Sequence, residues 1–412
     1  MKYDLLLTRS YMQQLSNKQT EVLETILHFF FNDKSKGGFV FSGVAGSGKT
    51  TIISSIVETL SNLNVNVVSL AFTGKAVSAL INKNIQPAQT LHSFLYVPVY
   101  ENIEDNDWDG VFDGGITTSY IRKFVKFDKK PKDAYTGIDF IIVDEASFVP
   151  RQIFMDLMDL EIPLLFVGDK EQLPPIDDTG FNIMDAADIH LDEIHRQAEG
   201  SPIIMLSKIV RETGHFNTKY VDGNVIRMIN KRDINRDYVS NTQHDIVLCG
   251  TNNNRMKMNN LIRAARGYHE DYAENNEVVI NLKNTVGLMQ TGLASIYNGE
   301  LFKVISSIPK EDSQYPHRLY TLSSSRVGND CLEDVVINVL DSAWREDYTP
   351  VSVNGSDLAN FTFGYAITVH KSQGSEFNNV LYIDDDVSFF TDQRKFRYTA
   401  ITRAKDMLTI AK

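Results

Sequence analysis

Two short segments of the sequence carry residue types that bind and cleave phosphate esters. The first runs from Gly43 to Thr50 and matches the pattern G-x-x-x-x-G-K-[ST]. Its glycines allow main-chain N–H groups to turn toward phosphates, and a helix that begins near Lys49 adds the positive end of its dipole. We expect Lys49 to reach the β- and γ-phosphates of a nucleotide and Thr50 to bind Mg²⁺. The residues expected to hold the nucleotide are Gly43, Gly46, Ser47, Gly48, Lys49, Thr50 and Thr51.

The second segment is the acidic pair Asp144 and Glu145, which follows the apolar run 140–143. A carboxylate at the end of a buried strand is suited to hold Mg²⁺ beside a nucleotide, and we assign this part to Asp144. Glu145 is placed to orient and deprotonate an attacking water molecule. Each segment alone also fits an alternative: a glycine-rich turn without a ligand for the first, and an ordinary helix N-terminus for the second.

Two arginines that follow the acidic pair, Arg196 and Arg403, are candidates for completing such a site. A guanidinium on the γ-phosphate neutralises the charge that develops during phosphoryl transfer. Taken alone, both residues are also compatible with solvated or ion-paired arginines.

The segment 230–233, Asn-Lys-Arg-Asp, imitates the guanine-reading N-K-x-D pattern of GTPases. A GTPase of that kind carries D-x-x-G at its Mg²⁺-binding strand, whereas this chain has Asp-Glu-Ala-Ser at 144–147. We therefore expect 230–233 to form a turn that does not read guanine.

Short apolar runs precede these segments and predict the strands that position them. Continuous runs of this length, separated by helix-like stretches, are typical of buried parallel strands with helical crossovers. Ligands bind at the carboxyl ends of the strands in such sheets. The predicted fold class is therefore α/β, with a parallel sheet in each half of the chain. The runs are 39–42, 65–71, 140–143, 164–167, 246–249, 365–368, 380–383 and 407–411.

Composition excludes several classes of protein. A chain of 412 residues with 42% hydrophobic and 23% charged side chains is not disordered, collagen-like or a disulfide scaffold. Its net charge of −12 disfavours sequence-blind adhesion to nucleic acid or anionic lipid. The two cysteines indicate a reducing compartment, and no apolar run approaches the ~20 residues that span a bilayer, so we expect a cytoplasmic protein of a phage or bacterial cell with no membrane partner.

Further motifs occur in the order found in the superfamily 1 helicases, and the chain resembles the RecD and phage Dda branch of that superfamily. Gln19 stands where the family has its adenine-reading glutamine. The endings Leu-Pro-Pro at 173–175 and Val-His-Lys-Ser-Gln-Gly at 369–374 distinguish this branch from the UvrD-like one, which moves in the opposite direction. The segments that match motifs Ia, Ib, III, IV, V and VI are 71–76, 90–92, 168–175, 193–197, 368–376 and 398–405.

The resemblance implies two RecA-like P-loop motor domains with parallel sheets, ATP at their interface, and two small, mainly β insertions. Gln19 and the acidic pair then belong to the first domain, and Arg196 and Arg403 are offered by the second. Gln172 would sense the γ-phosphate, and Glu376 would lie near the ribose. The implied boundaries are 1–92 and 138–190 for the first motor domain, 93–137 for an inserted hairpin, 191–304 and 361–412 for the second motor domain, and 305–360 for an inserted β-barrel.

The resemblance also implies the activity of an ATP-dependent DNA helicase that translocates 5′ to 3′ on single strands and unwinds duplex. Its partners would be single-stranded and duplex DNA and a single-strand-binding or replication or recombination protein, and a monomer would suffice. Hydroxyl, amide and imidazole groups would contact the strand without reading its sequence. In isolation these residues are also compatible with helix caps and turns. They are Thr73, His92, Thr251, Asn252, Thr368 and His370.

The first insertion has an uneven distribution of charge. Residues 101–113 contain six acidic side chains and no basic one, whereas 119–132 contain six basic side chains and one acid. Strand-like runs at 95–100 and 120–127 predict a hairpin whose acidic turn carries Trp108 and Phe112. Relatives use a hairpin at this place to split the duplex, so by resemblance one of these two rings stacks on the last base pair. The alternative is a solvated acidic loop with one aromatic packed for stability.

Two other functions stay open at this point. The chain is compatible with a translocase subunit of a helicase–nuclease complex, although no D-x-E-x-K nuclease module follows motif VI and a stand-alone motor is expected. A P-loop ATPase that remodels proteins would carry the same nucleotide site. Its ATP turnover would be indifferent to single-stranded DNA.

Overall fold

The computed structural model describes residues 15–33, 37–103, 121–175, 180–194, 200–282, 285–289, 292–296, 298–310, 317–324, 334–344, 361–389 and 391–412. The chain divides into two units. The first, here called the α/β unit, comprises Met1–Leu91, Tyr135–His269 and Gly364–Lys412. The second, the β unit, comprises His92–Ala134 and Glu270–Phe363. None of the helices in the described ranges combines the length and apolar character needed to cross a membrane.

The first sheet of the α/β unit has six parallel strands. Its central strands are rich in Val, Ile, Leu and Phe and are buried along almost their whole length, because helices cover both faces of a parallel sheet. In spatial order the strands are Ala88–Thr90 (β3), Val67–Ala71 (β2), Phe140–Asp144 (β6), Leu164–Gly168 (β7), Gly38–Gly43 (β1) and Ile189–Leu191 (β8).

Helices connect these strands, and their apolar sides form one core with the sheet. The first helix is capped by a reciprocal pair: the Ser16 hydroxyl accepts from the Gln19 main-chain N–H, and the Gln19 side chain accepts from the Ser16 N–H. This cap fixes Gln19 at the start of the helix. The helices around the first sheet, which form the first half of the α/β unit together with it, are Asn17–His28 (α1), Lys49–Ser61 (α2), Gly74–Ile81 (α3) and Arg151–Met158 (α5). The helix Leu91–Leu95 (α4) begins at the last residue of the segment Met1–Leu91 and continues into the β unit.

The second sheet of the α/β unit has five parallel strands. In spatial order they are Ala366–Thr368 (β18), Ile246–Cys249 (β10), Phe377–Ile383 (β19), Ala404–Ala411 (β20) and Ile226–Ile229 (β9). The helices around this sheet, which form the second half of the α/β unit together with it, are Pro202–Thr213 (α6), Arg236–Asn241 (α7), Asn252–Ala265 (α8) and Gln393–Ile401 (α9). The predicted α/β class and all eight predicted strands are thus confirmed, with ends that differ by at most three residues.

The GTPase-like segment forms a turn, as predicted. A single 3₁₀ turn spans Lys231–Asp233, and Asn230 caps it by accepting 2.9 Å from the Arg232 main-chain N–H. The Asn230 side chain thereby has the local role that Asn commonly has at turns.

The β unit contains an antiparallel hairpin and a seven-stranded antiparallel sheet. Tyr96–Ile103 (β4) pairs with Ile121–Lys129 (β5) in the predicted hairpin, and its turn, with Trp108 and Phe112, lies outside the described residues. The seven-stranded sheet begins at Val278 and ends at Phe363, so it extends beyond the predicted 305–360 on both sides. In spatial order its strands are Gly292–Ile296 (β13), Thr285–Met289 (β12), Val335–Leu340 (β16), His317–Ser324 (β15), Leu301–Lys310 (β14), Val278–Asn281 (β11) and Phe361–Phe363 (β17).

Candidate active site

The glycine-rich loop between β1 and α2 adopts a conformation that side chains would not permit. Gly46 and Gly48 have φ angles of 78° and 86°, in the left-handed region that favours glycine. A Cβ atom at Gly43 would lie 2.7 Å from Ser47 Oγ and 2.9 Å from Lys49 Cγ. The loop is therefore folded back tightly on itself at the carboxyl end of β1, where its main-chain N–H groups precede the N-terminus of α2.

The polar side chains of this loop make few contacts with each other. Lys49 Nζ donates to the carbonyl oxygens of Gly43 (2.8 Å) and Val44 (3.2 Å). Ser47 Oγ is buried and has no hydrogen-bond partner among the described residues. Thr50 and Thr51 lie in the first turn of α2. A buried hydroxyl without a partner is costly, which is consistent with a site that a polar ligand completes.

Gln19 joins the first helix to this loop. Its side chain is buried, Nε2 donates 2.9 Å to the Ser47 carbonyl, and Oε1 accepts from Ser16. A Cβ atom at Gly48 would collide with Gln19 Nε2. The residue that the resemblance assigns to the base of the nucleotide is therefore packed directly against the loop assigned to the phosphates.

The acidic pair ends β6, beside β2 and β7 in the same sheet. Asp144 Oδ1 accepts 2.9 Å from the Glu145 main-chain N–H, and Glu145 adopts a left-handed conformation with φ 53°. Such a conformation is uncommon for a residue other than glycine and is often found at functional sites.

The pKa values of both carboxyl groups are raised above those of ordinary surface acids. Burial raises the pKa of Asp144, although the Glu145 N–H and Lys49 oppose the shift. Burial and the neighbouring Asp144 raise the pKa of Glu145 to about 7, against opposing effects of Arg403 and Lys49. Glu145 Oε2 is buried without a hydrogen-bond partner among the described residues. A carboxylate with a pKa near 7 is suited to accept a proton from water.

Arg403 lies between α9 and β20 and is 3% exposed. Its guanidinium donates to the Thr399 carbonyl (3.1 Å) and the Ser375 carbonyl (3.2 Å), both in its own half of the α/β unit. Nη2 also lies 3.4 Å from Gln172 Oε1, and Gln172 belongs to the loop after β7 of the first sheet. The arginine of the second half is thus anchored by main-chain oxygens and directed at the first half.

Tyr398 contributes a contact that the sequence did not indicate. Its hydroxyl donates 2.6 Å to Asp169 Oδ2 and accepts 2.8 Å from the main-chain N–H of Ala45, in the glycine-rich loop. The tyrosine opens the predicted motif VI, but only the long-range packing of α9 against the first sheet gives it this position. It is 1% exposed.

Of four further predicted side chains, three are not described and one lies at the surface. Arg196, Trp108 and Phe112 lie outside the described residues, and their roles stay predictions. Glu376 forms a surface ion pair with Lys405 at 3.3 Å, with side chains 59% and 52% exposed. That pair is a weak local contact, so Glu376 keeps a carboxylate accessible to solvent.

The residues of the α/β unit that are predicted to contact DNA lie at the ends of β-strands. Thr73 caps α3 and accepts 3.2 Å from the Ala76 N–H, and Thr251 caps α8 in the same way. Asn252 is the first residue of α8. Thr368 Oγ1 accepts 3.3 Å from the Lys371 N–H. Thr73, Thr251 and Thr368 therefore act as caps or turn formers, which is the alternative role considered for them. Each hydroxyl accepts one bond in this role and retains its own hydrogen, which it can donate to a phosphate.

The two halves of the α/β unit also meet near Thr73. Gly374 has φ 70°, and a Cβ atom there would lie 3.1 Å from Thr73 Oγ1. Thr73, a first-half residue predicted to contact DNA, therefore lies against the loop of the second half that contains His370.

The two predicted histidines are partly buried and neutral in character. Burial lowers the pKa of His370, whose ring lies 5.6 Å from that of Phe396. Burial likewise lowers the pKa of His92, which belongs to the β unit. The His92 ring lies 5.8 Å from Tyr96 and 6.5 Å from Phe127, at the base of the hairpin. Both histidines are thus suited to stacking or hydrogen bonding and not to charge pairing.

Metal binding by protein groups alone finds no support in the described part of the chain, where no group of three or more His, Cys, Asp and Glu side chains is arranged to hold an ion. Thr50 and Asp144 offer oxygen donors only, which is the ligand type that Mg²⁺ prefers. The raised pKa of Asp144 marks a carboxylate that a nearby cation would stabilise. These two residues therefore fit a Mg²⁺ ion that takes its other ligands from nucleotide and water.

Comparison with known families gives two matches. A model described as an AAA domain matches residues 14–231, more than half of the chain. A model described as a UvrD-like helicase C-terminal domain matches residues 363–411. The first match contains Gln19, the glycine-rich loop, the acidic pair and Gln172, and the second contains Glu376 and Arg403.

Curated relatives and a solved structure resemble larger parts of the chain. The ATP-dependent RecD2 DNA helicase of Deinococcus radiodurans is 23% identical over 405 residues, covering 89% of this chain and 46% of the relative. The ATP-dependent DNA helicase dda of Enterobacteria phage T4 is 26% identical over 253 residues, covering 56% and 53%. The chain spans about half the length of these two relatives. A crystal structure of Pif1 helicase from Bacteroides in complex with ADP-AlF3 and ssDNA has the same fold, with a TM-score of 0.56 at 19% identity over 95% of this chain and 92% of that one.

Proposed function

We infer that this chain, which belongs to the AAA domain family and to the RecD, Dda and Pif1 branch of superfamily 1, is an ATP-driven DNA helicase. The observation that carries the proposal is the approach of Arg403 to Gln172 and Glu145 from the other half of the α/β unit. In an ATPase with one RecA-like domain, such an arginine comes from the same domain or from a separate chain. Two halves that share one site can convert the state of the nucleotide into relative movement.

The residues of the site divide the work of hydrolysis. Gln19 is proposed to bind the adenine, and the main-chain N–H groups of the glycine-rich loop, with Lys49, to bind the phosphates. Glu145 holds and deprotonates the attacking water, because its raised pKa makes it a competent base near neutral pH. Arg403, together with Arg196, is proposed to stabilise the charge that develops on the γ-phosphate. Gln172 is proposed to sense that phosphate.

A Mg²⁺ ion fits beside Thr50 and Asp144 and would neutralise part of the phosphate charge when it is bound. The chain's own contribution is to supply oxygen ligands and to keep Glu145 separate from them.

The proposed contacts with DNA come from both halves of the α/β unit and, in the β unit, from His92. Thr73, Thr251, Asn252, Thr368 and His370 present hydroxyl, amide and imidazole groups suited to phosphates, and His92 presents a ring suited to a base. None of these contacts needs a strongly basic surface, so the net charge of −12 is compatible with a DNA substrate. We propose movement from 5′ to 3′, on the resemblance of segments 168–175 and 368–376 to the RecD and Dda branch.

ATP hydrolysis with and without single-stranded oligonucleotide tests the proposal. We expect hydrolysis to be stimulated by the oligonucleotide and abolished by Lys49→Ala, while Lys208→Ala, a change at an exposed site on α6, leaves it intact. Hydrolysis indifferent to DNA would favour a protein-remodelling ATPase instead.

Direction is tested on duplexes with a single tail. Unwinding of the 5′-tailed duplex is expected and unwinding of the 3′-tailed duplex is not. The reverse preference would overturn the proposed polarity and leave the motor itself in place.

The proposed wedge at the hairpin turn is tested separately. Trp108→Ala and Phe112→Ala are compared for unwinding and for DNA-stimulated hydrolysis. Loss of unwinding alone, in either variant, supports a ring that separates base pairs. Parallel loss of both activities would indicate a structural aromatic.

A further inference from the structure

One buried hydroxyl joins the nucleotide loop to the helix that precedes Arg403. Tyr398 donates 2.6 Å to Asp169 and accepts 2.8 Å from the Ala45 N–H. The tyrosine is 1% exposed and Asp169 is 0% exposed, so water does not compete for either bond. Both partners belong to the first half of the α/β unit, whereas Tyr398 lies on α9 of the second half.

The same helix and the residues directly after it make two further contacts with the loop after β7. Thr399 Oγ1 accepts 3.1 Å from the Leu173 N–H, and Arg403 lies 3.4 Å from Gln172. Asp169 is itself fixed, because its Oδ1 accepts 3.0 Å from the Glu171 N–H. The C-terminal part of α9 is therefore bonded to the glycine-rich loop and to the segment that contains Gln172 as one connected set.

Which group donates in each of the two Tyr398 hydrogen bonds follows from the chemistry of the partners: a carboxylate can only accept, and a main-chain N–H can only donate. Burial, together with the Asp169 carboxylate, raises the pKa of Tyr398, so the phenol keeps its proton at neutral pH. That proton goes to Asp169, which leaves a lone pair of the oxygen for the Ala45 N–H. A movement of the glycine-rich loop that withdraws the Ala45 N–H would leave the phenol oxygen with one buried bond instead of two. The position of α9 thus depends energetically on the conformation of the loop.

We propose that Tyr398 is a positioning residue that makes the placement of Arg403 depend on the conformation of the glycine-rich loop. Arg403 follows Tyr398 by five positions, and the last turn of α9 with its C-cap Thr402 connects them. The inference rests on the proposed function, since it concerns how nucleotide binding is linked to movement between the two halves. It assigns the linkage to a hydroxyl that touches neither a substrate nor Arg403.

A second buried tyrosine in the same unit supplies a matched control. Tyr382 on β19 is 0% exposed, and its hydroxyl also donates to an aspartate, Asp384, at 3.1 Å. Asp384 pairs with Arg397 within the second half. Tyr398→Phe and Tyr382→Phe therefore delete the same group from equally buried tyrosine–aspartate pairs, but only the first deletion affects the glycine-rich loop.

The test measures kcat and KM of DNA-stimulated ATP hydrolysis and the number of base pairs separated per ATP. For Tyr398→Phe we expect kcat to fall about 10-fold, KM for ATP to change less than about 2-fold, and base pairs per ATP to fall at least about 3-fold. For Tyr382→Phe we expect base pairs per ATP to stay at the wild-type value. A loss of folded protein lowers unwinding and hydrolysis together, so a merely structural role leaves that ratio unchanged. An unchanged ratio in Tyr398→Phe, or an equal fall in both variants, would overturn the inference.

A double-variant cycle keeps the test valid if one variant is poorly folded. Asp169→Asn removes the charge that orients the phenol proton and retains the shape of the side chain. If the hydroxyl acts through this pair, Tyr398→Phe combined with Asp169→Asn lowers the ratio no further than the larger single effect. Independent, additive effects would contradict the linkage. Failure of the proposed function is distinguishable, because it would appear as wild-type protein without DNA-stimulated hydrolysis.

Discussion

Gln19 donates its side-chain N–H to the main-chain carbonyl of Ser47 at 2.9 Å, across the junction between α1 and the glycine-rich loop. Gln19 also closes the cap of α1 through its carbonyl oxygen, which accepts from Ser16. The two ends of one amide therefore have separate tasks: the oxygen stabilises the helix and the nitrogen faces the nucleotide loop.

Gln19→Glu separates these tasks. The carboxylate retains an acceptor for the Ser16 N–H but has no hydrogen to donate, so the helix cap is kept and the contact with Ser47 is lost. We expect KM for ATP to rise about 10-fold and the preference for ATP over GTP to narrow, with kcat little changed. Steady-state hydrolysis with both nucleotides checks this. A preference as strong as that of the wild type would mean that Gln19 does not read the base.

Glu145→Gln is expected to lower kcat of ATP hydrolysis about 10³-fold and to leave nucleotide affinity nearly unchanged, because an amide cannot accept the proton of the attacking water. Glu171→Gln is the matched control. That carboxylate pairs with Arg394 at 3.2 Å near the surface, and a partly exposed pair contributes little. Hydrolysis and fluorescent-nucleotide binding are measured in parallel, and a fall of less than about 10-fold for Glu145→Gln would assign the proton transfer elsewhere.

Arg403→Lys keeps the positive charge but not the planar fork that reaches Thr399, Ser375 and Gln172 together. We expect kcat to fall about 10³-fold with the affinity for ADP preserved, as for an arginine that acts mainly on the transition state. Arg394→Lys on α9, at a 39% exposed site, should retain most activity. If the two variants behave alike, Arg403 has only a structural role.

His92→Ala is expected to weaken binding of single-stranded DNA by about 1–3 kcal/mol, whereas His92→Phe retains most of the affinity. Burial lowers the pKa of His92, so the ring is neutral at pH 7 and contributes no charge. The slope of log affinity against log salt concentration should therefore be the same in wild type and both variants. A reduced slope in His92→Ala would identify an ionic contact with a phosphate instead of stacking.

Lys371 gives a prediction about stability and pH. Burial, and to a smaller extent Arg255, lowers its pKa to about 8 from an ordinary value of 10.5. The folded state thus disfavours the charged form, and this cost is present below pH 8 and disappears as pH rises toward 10.5. We expect Lys371→Met to stabilise the protein at pH 7 by on the order of 2 kcal/mol, after allowance for partial exposure, and by much less at pH 10.

Thermal unfolding of Lys371→Met at the two pH values measures the effect. Lys371→Arg keeps the charge at both and should show no gain at either. A gain of equal size at pH 7 and pH 10 would mean that packing, and not charge, sets the stability at this position.

Local sequence was sufficient to predict the phosphate loop, the acidic pair and the strands that carry them. Each depends on neighbours along the chain: glycines at fixed spacing, an apolar run, and a polar residue at its end. The turn at 230–233 was equally readable, because Asn230 needs only the next two residues to cap it. These features required no knowledge of how the two halves meet.

Long-range contacts and short strands were harder to predict. Tyr398 meets Ala45 across 353 positions of sequence, and no periodicity encodes that pairing. The seven-stranded sheet starts at Val278, earlier than predicted, because strands of four or five residues such as Thr285–Met289 give weak alternation. The cluster of His92, Tyr96 and Phe127 was missed for a related reason, since its rings come from both strands of the hairpin.

Lys49 satisfies two carbonyl oxygens of its own loop, those of Gly43 and Val44. An ammonium group has three N–H donors, so one is left for ATP, and any further bond to phosphate replaces a bond that already exists. Affinity then measures an exchange in part, and its net gain is smaller than the strength of a lysine–phosphate contact suggests. A modest affinity allows the products to leave after each cycle, which a repeating motor requires as much as it requires fast chemistry.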